Sequence, residues 1–166
     1  MVRQAGLSRE ARGFLAWQDA FELADRGRVF EGRLPVAVFQ RFSELLAAVE
    51  GEVEARLAFV RGGEGRVRVE GHVEGGVMLI CQRCLGRYRQ PLSSRVGLIL
   101  VTEEALIPHL PGEFEHEVVS DRIRPLDLLE DELMMSLPLV PVHPEPADCE
   151  ETARRLLAAA HDEPME

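Results

Sequence analysis

From Gly51 onward the apolar residues stop recurring at helical spacing and begin to alternate, and this change of period constrains the fold more than any other feature of the 166-residue chain. In "GEVEARLAFV" (51–60), Val53, Ala55, Leu57 and Phe59 fall on one side and Glu52, Glu54 and Arg56 on the other. "GRVRVEGHVEGG" (65–76) repeats the pattern, with Val67, Val69 and Val73 against Arg66, Arg68, Glu70 and Glu74. Successive side chains of a strand point to opposite faces, so alternation of this kind buries one face and wets the other, as antiparallel sheets do. Glycines at 62–63, 65 and 75–76 read as hairpin punctuation. "VMLI" then leads into a turn containing Cys81 and Cys84, "GRYRQPL" leaves it, and "RVGLILV" is a further strand. A loop from Thr102 to Pro111 and a short strand near Glu117–Val119 complete the region.

The flanks keep a helical period. "FLAWQDAFELAD" (14–25) sets Phe14, Trp17, Phe21 and Ala24 on one helical face. Val29, Phe30 and Leu34 suggest a short strand, and Pro35 opens a second helix over 36–49 with Val38, Phe42, Leu45, Leu46 and Val49 as its stripe. Pro125 starts a helix that Pro138 ends, with Leu126, Leu129, Leu133 and Leu137 facing inward. "PLVPVHPEP" (138–146) reads as a proline-stiffened extended arm. The expected class is α+β: a hairpin-rich antiparallel sheet with room to curl toward a barrel, two N-terminal helices and one packed C-terminal helix. The expected organisation is a single domain over residues 1–145 and a mobile acidic tail over 146–166.

Three cysteines give no framework of disulfide pairs, and neither a secretory h-region nor an apolar run of membrane-spanning length occurs, so a reducing cytoplasm is expected. The net charge of −10 hides a division. Residues 61–95 carry seven Arg against three acids, a local +4, whereas 103–166 carry 17 acids against four Arg, a local −13. All 19 basic residues are Arg, the better fork for phosphate and for stacking.

Cys81 and Cys84 admit three readings. A redox pair wants its first Cys at a helix N-terminus, and the surrounding pattern is strand. Two thiolates three residues apart also suit half of a tetrahedral zinc site. The other half would come from His143 and Cys149, a Cys₃His set whose His-to-Cys spacing is wider than a usual knuckle. The third reading is a tight turn with two thiols and no metal. The zinc and turn readings stay open at this point. Arg83, Arg87, Arg89 and Arg95 form the basic cluster beside the pair, and alternation puts Tyr88 on the face opposite Arg87 and Arg89. Catalytic patterns are lacking: no serine sits in a nucleophile elbow, and no glycine-rich phosphate loop occurs. Glu130, Asp131 and Glu132 diverge by about 100° per residue on a helix, so they read as a solvated face and not as one catalytic centre.

Two separated segments resemble the large ribosomal RNA subunit accumulation (YceD) family: "CQRCLGRYRQPL" (81–92), and "LDLLEDELMMSLPLVPVHPEPADC" (126–149) with its acidic helix, Leu-Pro, Pro-Val-His and Cys. The resemblance spans roughly residues 20–150; the chain ends on "DEPME" without the basic, Phe-containing tail of many relatives. It implies a non-enzymatic cytoplasmic factor for synthesis, processing or stability of large-subunit ribosomal RNA, with no small-molecule substrate and no membrane. On this reading Arg83, Arg87, Tyr88, Arg89 and Arg95 are the RNA-contact candidates. Cys81, Cys84, His143 and Cys149 are the candidate Zn²⁺ ligands. Glu130, Asp131 and Glu132 would face a basic partner such as a ribosomal protein. The alternative is a zinc-binding protein-interaction module that acts on ribosome assembly only through a protein partner.

Overall fold

The computed structural model describes residues 9–63, 65–103, 115–119, 122–149, 151 and 153. Along the chain run α1 (Arg9–Leu15), β1 (Gln18–Asp19), α2 (Ala20–Asp25), β2 (Val29–Pro35), a 3₁₀ turn (Val36–Val38), α3 (Gln40–Ser43), β3 (Glu52–Arg61), β4 (Arg66–Ile80), β5 (Arg87–Val101), β6 (Glu115–Val118), β7 (Arg122–Ile123) and α4 (Pro125–Met135). The alternating segments form a five-stranded sheet in the order β2-β3-β4-β5-β6, and β1 pairs separately with β7. The pairings β2–β3, β3–β4 and β4–β5 are antiparallel, as the alternation predicts. β6 lies parallel to β5. The edge strands β2 and β6 do not meet, so the sheet is open and does not close into a barrel.

The hairpin arm is longer than its glycines suggest. β4 and β5 each run 15 residues, in register from Arg66↔Val101 to Ile80↔Arg87. Gly75 and Gly76 therefore sit inside a strand and not at a hairpin boundary. Small residues serve close approach here. A Cβ on Gly71 would lie 1.9 Å from the Arg56 carbonyl oxygen, and one on Gly76 would meet the Arg89 guanidinium at 2.8 Å. Glycine at these two positions lets β3 crowd β4 and lets Arg89 lie across the strand.

The N-terminal helices are shorter than their apolar spacing implies. The stretch 14–25 breaks at Trp17, and Asp19 caps α2 by accepting from the N–H groups of Phe21 (2.8 Å) and Glu22 (2.9 Å). Gln18 and Asp19 pair with β7 instead, and Trp17 is exposed beneath the Arg124 guanidinium. Residues 36–49 likewise do not form one helix. Phe39 adopts an extended backbone between the 3₁₀ turn and α3, and the Ala47 N–H donates to the Met78 carbonyl at 2.8 Å. Residues 47–48 thus pair with the end of β4 that β3 leaves uncovered, a long-range ladder that overrides local helix propensity.

The inner face of the sheet meets the helices in one core. Phe30 packs at 5.5 Å on Phe14 and edge-on at 5.8 Å on Phe59, joining α1, β2 and β3. α4 begins at Pro125 as expected and buries Leu126, Leu129 and Leu133, together with Leu128 and Glu130. The Thr102–Pro111 loop lies beyond residue 103 mostly outside the described residues, as does the tail apart from 146–149, 151 and 153.

Candidate metal centre

The β4–β5 hairpin closes over Cys81–Gly86. The Cys81 N–H donates to the Gly86 carbonyl at 2.9 Å and the Leu85 N–H to the Cys81 carbonyl at 2.8 Å, a turn that requires Leu85 at φ 59°. A branched apolar residue in the left-handed region is unusual and costs about 1–2 kcal/mol. The turn persists because its other contacts determine it. The arm after α4 returns to this tip, where the Gln82 N–H donates to the Pro141 carbonyl at 2.8 Å. A helical turn over 146–149 then swings Cys149 inward, so this part of the segment read as tail is packed on the hairpin.

Four side chains from the two segments converge. Cys81 Sγ lies 3.6 Å from Cys149 Sγ, and His143 Nδ1 lies 3.4 Å from both Cys84 Sγ and Cys149 Sγ. All four ligand atoms fall within 4.8 Å of one another. Cys81, His143 and Cys149 are buried and Cys84 is partly so. A tetrahedral zinc with Zn–S near 2.3 Å and Zn–N near 2.05 Å sets S···S at about 3.8 Å and S···N at about 3.5 Å. The observed separations match those of ligands around one ion. Burial alone would push the Cys81 thiol up, but N–H groups of His143, Cys84 and Arg83 and the His143 side chain outweigh it and bring the thiol down to about 5. Burial, then hydrogen bonding and charge from Cys81 and Cys84, pushes Cys149 up to about 11. One thiolate forms readily and the next resists, because burial and the neighbouring sulfurs oppose a second negative charge. A divalent ion would offset that charge and deprotonate its ligands. The Tyr88 ring, 5.1 Å from that of His143, walls the site. No helix follows Cys81, so the dipole that activates a thioredoxin-type thiol is missing.

The other candidates divide. Arg83, Arg87, Arg89 and Arg95 are exposed, and Arg83 Nη1 reaches to 3.8 Å from Cys149 Sγ. Arg87, Arg89 and Arg95 share the outer face of β5 and make no ion pair among the described residues. On the neighbouring strands Arg33 pairs with Glu54, Arg56 with Glu31 and Arg68 with Glu70. Tyr88 is only 6% exposed, on the inner face against His143, so it lines the Cys₃His cluster and points away from the arginine face. Glu130 does not face a partner either. It is buried and accepts from Arg41 Nε (3.1 Å) and the Phe42 N–H (3.2 Å). Asp131 pairs with Arg41 at 2.7 Å, and Glu132 accepts from the Ser94 hydroxyl. Sequence reasoning missed Leu85, Pro141 and the β6 acids Glu115 and Glu117. A left-handed turn residue and a carbonyl acceptor leave no composition signal, and β6 is placed by a parallel pairing that no local pattern announces.

The family model described as Large ribosomal RNA subunit accumulation protein YceD matches residues 69–164. The Large ribosomal RNA subunit accumulation protein YceD of Haemophilus influenzae is 29% identical over 128 residues, which cover 75% of this chain and 73% of that protein. No solved structure matches the chain. The matched segment contains Cys81, Cys84, His143 and Cys149, the hairpin that carries two of them and the arm that carries the others, and the chain belongs to the YceD family of large ribosomal RNA subunit accumulation proteins.

Proposed function

We propose that this protein is a non-enzymatic, cytoplasmic factor that supports the accumulation of large-subunit ribosomal RNA, holding one structural zinc in the Cys₃His centre and touching RNA with the arginines beside it. The observation that carries the reading is the contrast along the sheet: Arg87, Arg89 and Arg95 have no carboxylate partner among the described residues, while the arginines of β2, β3 and β4 cited above each have one. Residues two apart on a strand repeat at about 6.6 Å, a spacing suited to successive phosphates. The zinc would fasten the 138–149 arm to the hairpin tip and so fix Arg83, between the two cysteines, relative to Arg87 and Arg89.

The test is the R83Q/R87Q/R89Q variant. RNA affinity of the parent should fall steeply with salt, and the variant should lose roughly one unit of log–log slope per phosphate contact removed. Stability should stay within about ±0.5 kcal/mol, as for other exposed substitutions. Cells carrying only the variant should show less large-subunit relative to small-subunit RNA. Normal RNA ratios with an abundant, folded variant would overturn the RNA face.

A second reading, a zinc-dependent protein-interaction module, is favoured by Leu85, Leu139 and Val140, which are 73%, 99% and 59% exposed around the same tip. An apolar protein interface there would bind with little salt dependence.

A further inference from the structure

The ladder of the long hairpin has a parity that exposes one edge. Because Cys81 N–H bonds the Gly86 carbonyl, even-numbered residues of β5 exchange bonds with β4, and odd-numbered ones turn their N–H and C=O groups away from it. The Val101 carbonyl, on that outward side, accepts from the Val119 N–H at 2.8 Å. β6 covers this side only from Leu98 to Val101. The outward backbone groups of Ser93 and Arg95, and the Gly97 N–H, have no partner among the described residues, whereas the Leu98↔Glu115 register already engages the Gly97 carbonyl with the Glu115 N–H. Pro91, just before them, lacks an N–H and fits an edge strand.

Beside this bare stretch lies a cleft of about 830 Å³ between the β5 edge, β6 and α4. Val96, Leu98, Leu128 and Met135 supply its apolar lining, and Glu115, Glu117, Asp131 and Glu132 its carboxylates. Arg41 from α3 already pairs with Asp131, so a guanidinium of this chain is seated at one end of the acidic row. Glu115 and Glu117 form no ion pair among the described residues. Burial, with Asp131 and Asp127 nearby, raises the Glu117 carboxyl above its usual range. His116, which also borders the cleft, has Nε2 shielded from solvent without a hydrogen-bond partner.

We propose that this cleft docks an extended basic segment of a protein partner, which adds a strand to the β5 edge from Ser93 to the Gly97 N–H and sets Arg or Lys side chains among Glu115, Glu117, Asp131 and Glu132. The bare edge supplies main-chain hydrogen bonds, and alternate side chains of an added strand reach the apolar lining and the acids in turn. Charge selects the occupant. RNA would be repelled by the carboxylates, and the chain's own 104–114 segment carries Glu104 and Glu113 with no Arg. The site shares Arg95, which borders the cleft, with the RNA reading above but uses none of Arg83, Arg87 or Arg89, so substitutions at those three test the RNA reading alone.

The test uses the full-length protein and three ten-residue peptides: alternating Arg and Val, alternating Glu and Val, and the Arg-Val peptide with alternate backbone amides N-methylated. The Arg-Val peptide should bind and shift the amide signals of Ser93, Arg95 and Gly97. The Glu-Val peptide should not bind. N-methylation, or the E115Q/E117Q substitution, should each weaken binding by about tenfold, one lost group of ordinary strength. The R83Q/R87Q/R89Q variant should bind the peptide as the parent does, so failure of the RNA reading and failure of this one are distinguishable. Equal binding of the N-methylated peptide would show electrostatic adsorption without strand addition and overturn the proposal. So would slow exchange of the Ser93, Arg95 and Gly97 amides in the free protein, which would show that the chain covers its own edge.

Discussion

Two buried polar clusters join segments far apart in the chain, and they are satisfied in opposite ways. Glu130 on α4 reaches across 88 and 89 residues to the Phe42 N–H and to Arg41, so its charge meets a cation and a backbone donor of the same protein. The Cys₃His cluster spans a similar distance, with 68 residues between Cys81 and Cys149 and 59 between Cys84 and His143. Its four ligand atoms converge within 4.8 Å of one another, and besides one another they meet backbone N–H groups and, at 3.8 Å from Cys149 Sγ, the Arg83 guanidinium. A buried carboxylate that finds an arginine is complete as folded. A buried set of thiols and an imidazole at ligand spacing offers a place for a cation from outside the chain, and on the zinc reading proposed above that ion completes it.

This contrast can be broken most forcefully at the sulfurs. Protein purified without chelator should carry about one equivalent of zinc by elemental analysis, and Cys81→Ser should lose it. Structural zinc contributes roughly 10–16 kcal/mol of apparent binding free energy in zinc-finger peptides at pH 7, so the expected loss exceeds that of any side-chain contact in the chain. The arm should detach, seen as fast amide exchange at Gln82 and cleavage between 138 and 149. Metal-free protein with an ordered arm would make the two clusters alike, both complete without an ion.

At the carboxylate end, Glu130→Ala leaves the buried Phe42 N–H without its acceptor, while the half-exposed Arg41 keeps Asp131, and it should cost about 1–3 kcal/mol in denaturant unfolding. Glu130→Gln should cost less, because an amide oxygen can still accept from Phe42. Zinc content should be unchanged in both variants. Loss of metal in Glu130→Ala would show that the clusters are coupled through the 136–143 segment.

The smallest effect is expected at Glu117. Burial and the nearby Asp131 and Asp127 hold its carboxyl above the ordinary glutamate range. The folded chain therefore keeps this proton to higher pH than the unfolded chain does. That contribution to stability is full below the unfolded value of about 4.3 and is lost as pH rises through the folded value. Glu117→Gln should thus raise the melting temperature slightly at pH 7 and leave it unchanged below about pH 4. An equal shift at both pH values would mean that packing, and not charge, sets the difference.

The fold was legible wherever each residue's partner is a neighbour in the pattern. Alternation over 51–101 reported the antiparallel sheet, and Pro125 with its leucine spacing reported α4. It failed at 14–25 and 36–49, whose apolar spacing is helical but whose backbones are taken by β7 and by the end of β4. It failed again at Gly75 and Gly76, because glycine marks a turn and a close strand approach with the same letter. Among the site residues, the opposite facing of Tyr88 and Arg87 followed from period two alone. The burial of Glu130 did not, since Arg41 lies 89 residues away.

By itself, the sequence determined which residues could be ligands, which face of β5 is basic and that the C-terminal half is acidic, because side-chain chemistry and strand parity are local properties. The tertiary structure decided that His143 and Cys149 meet Cys81 and Cys84, that Glu130 is an internal brace, and that Ser93 and Arg95 turn backbone groups without a partner among the described residues toward an acidic cleft. These depend on where an arm returns after a helix and where a parallel strand stops. Such outcomes are set by packing between elements distant in sequence, for which no single segment carries the information.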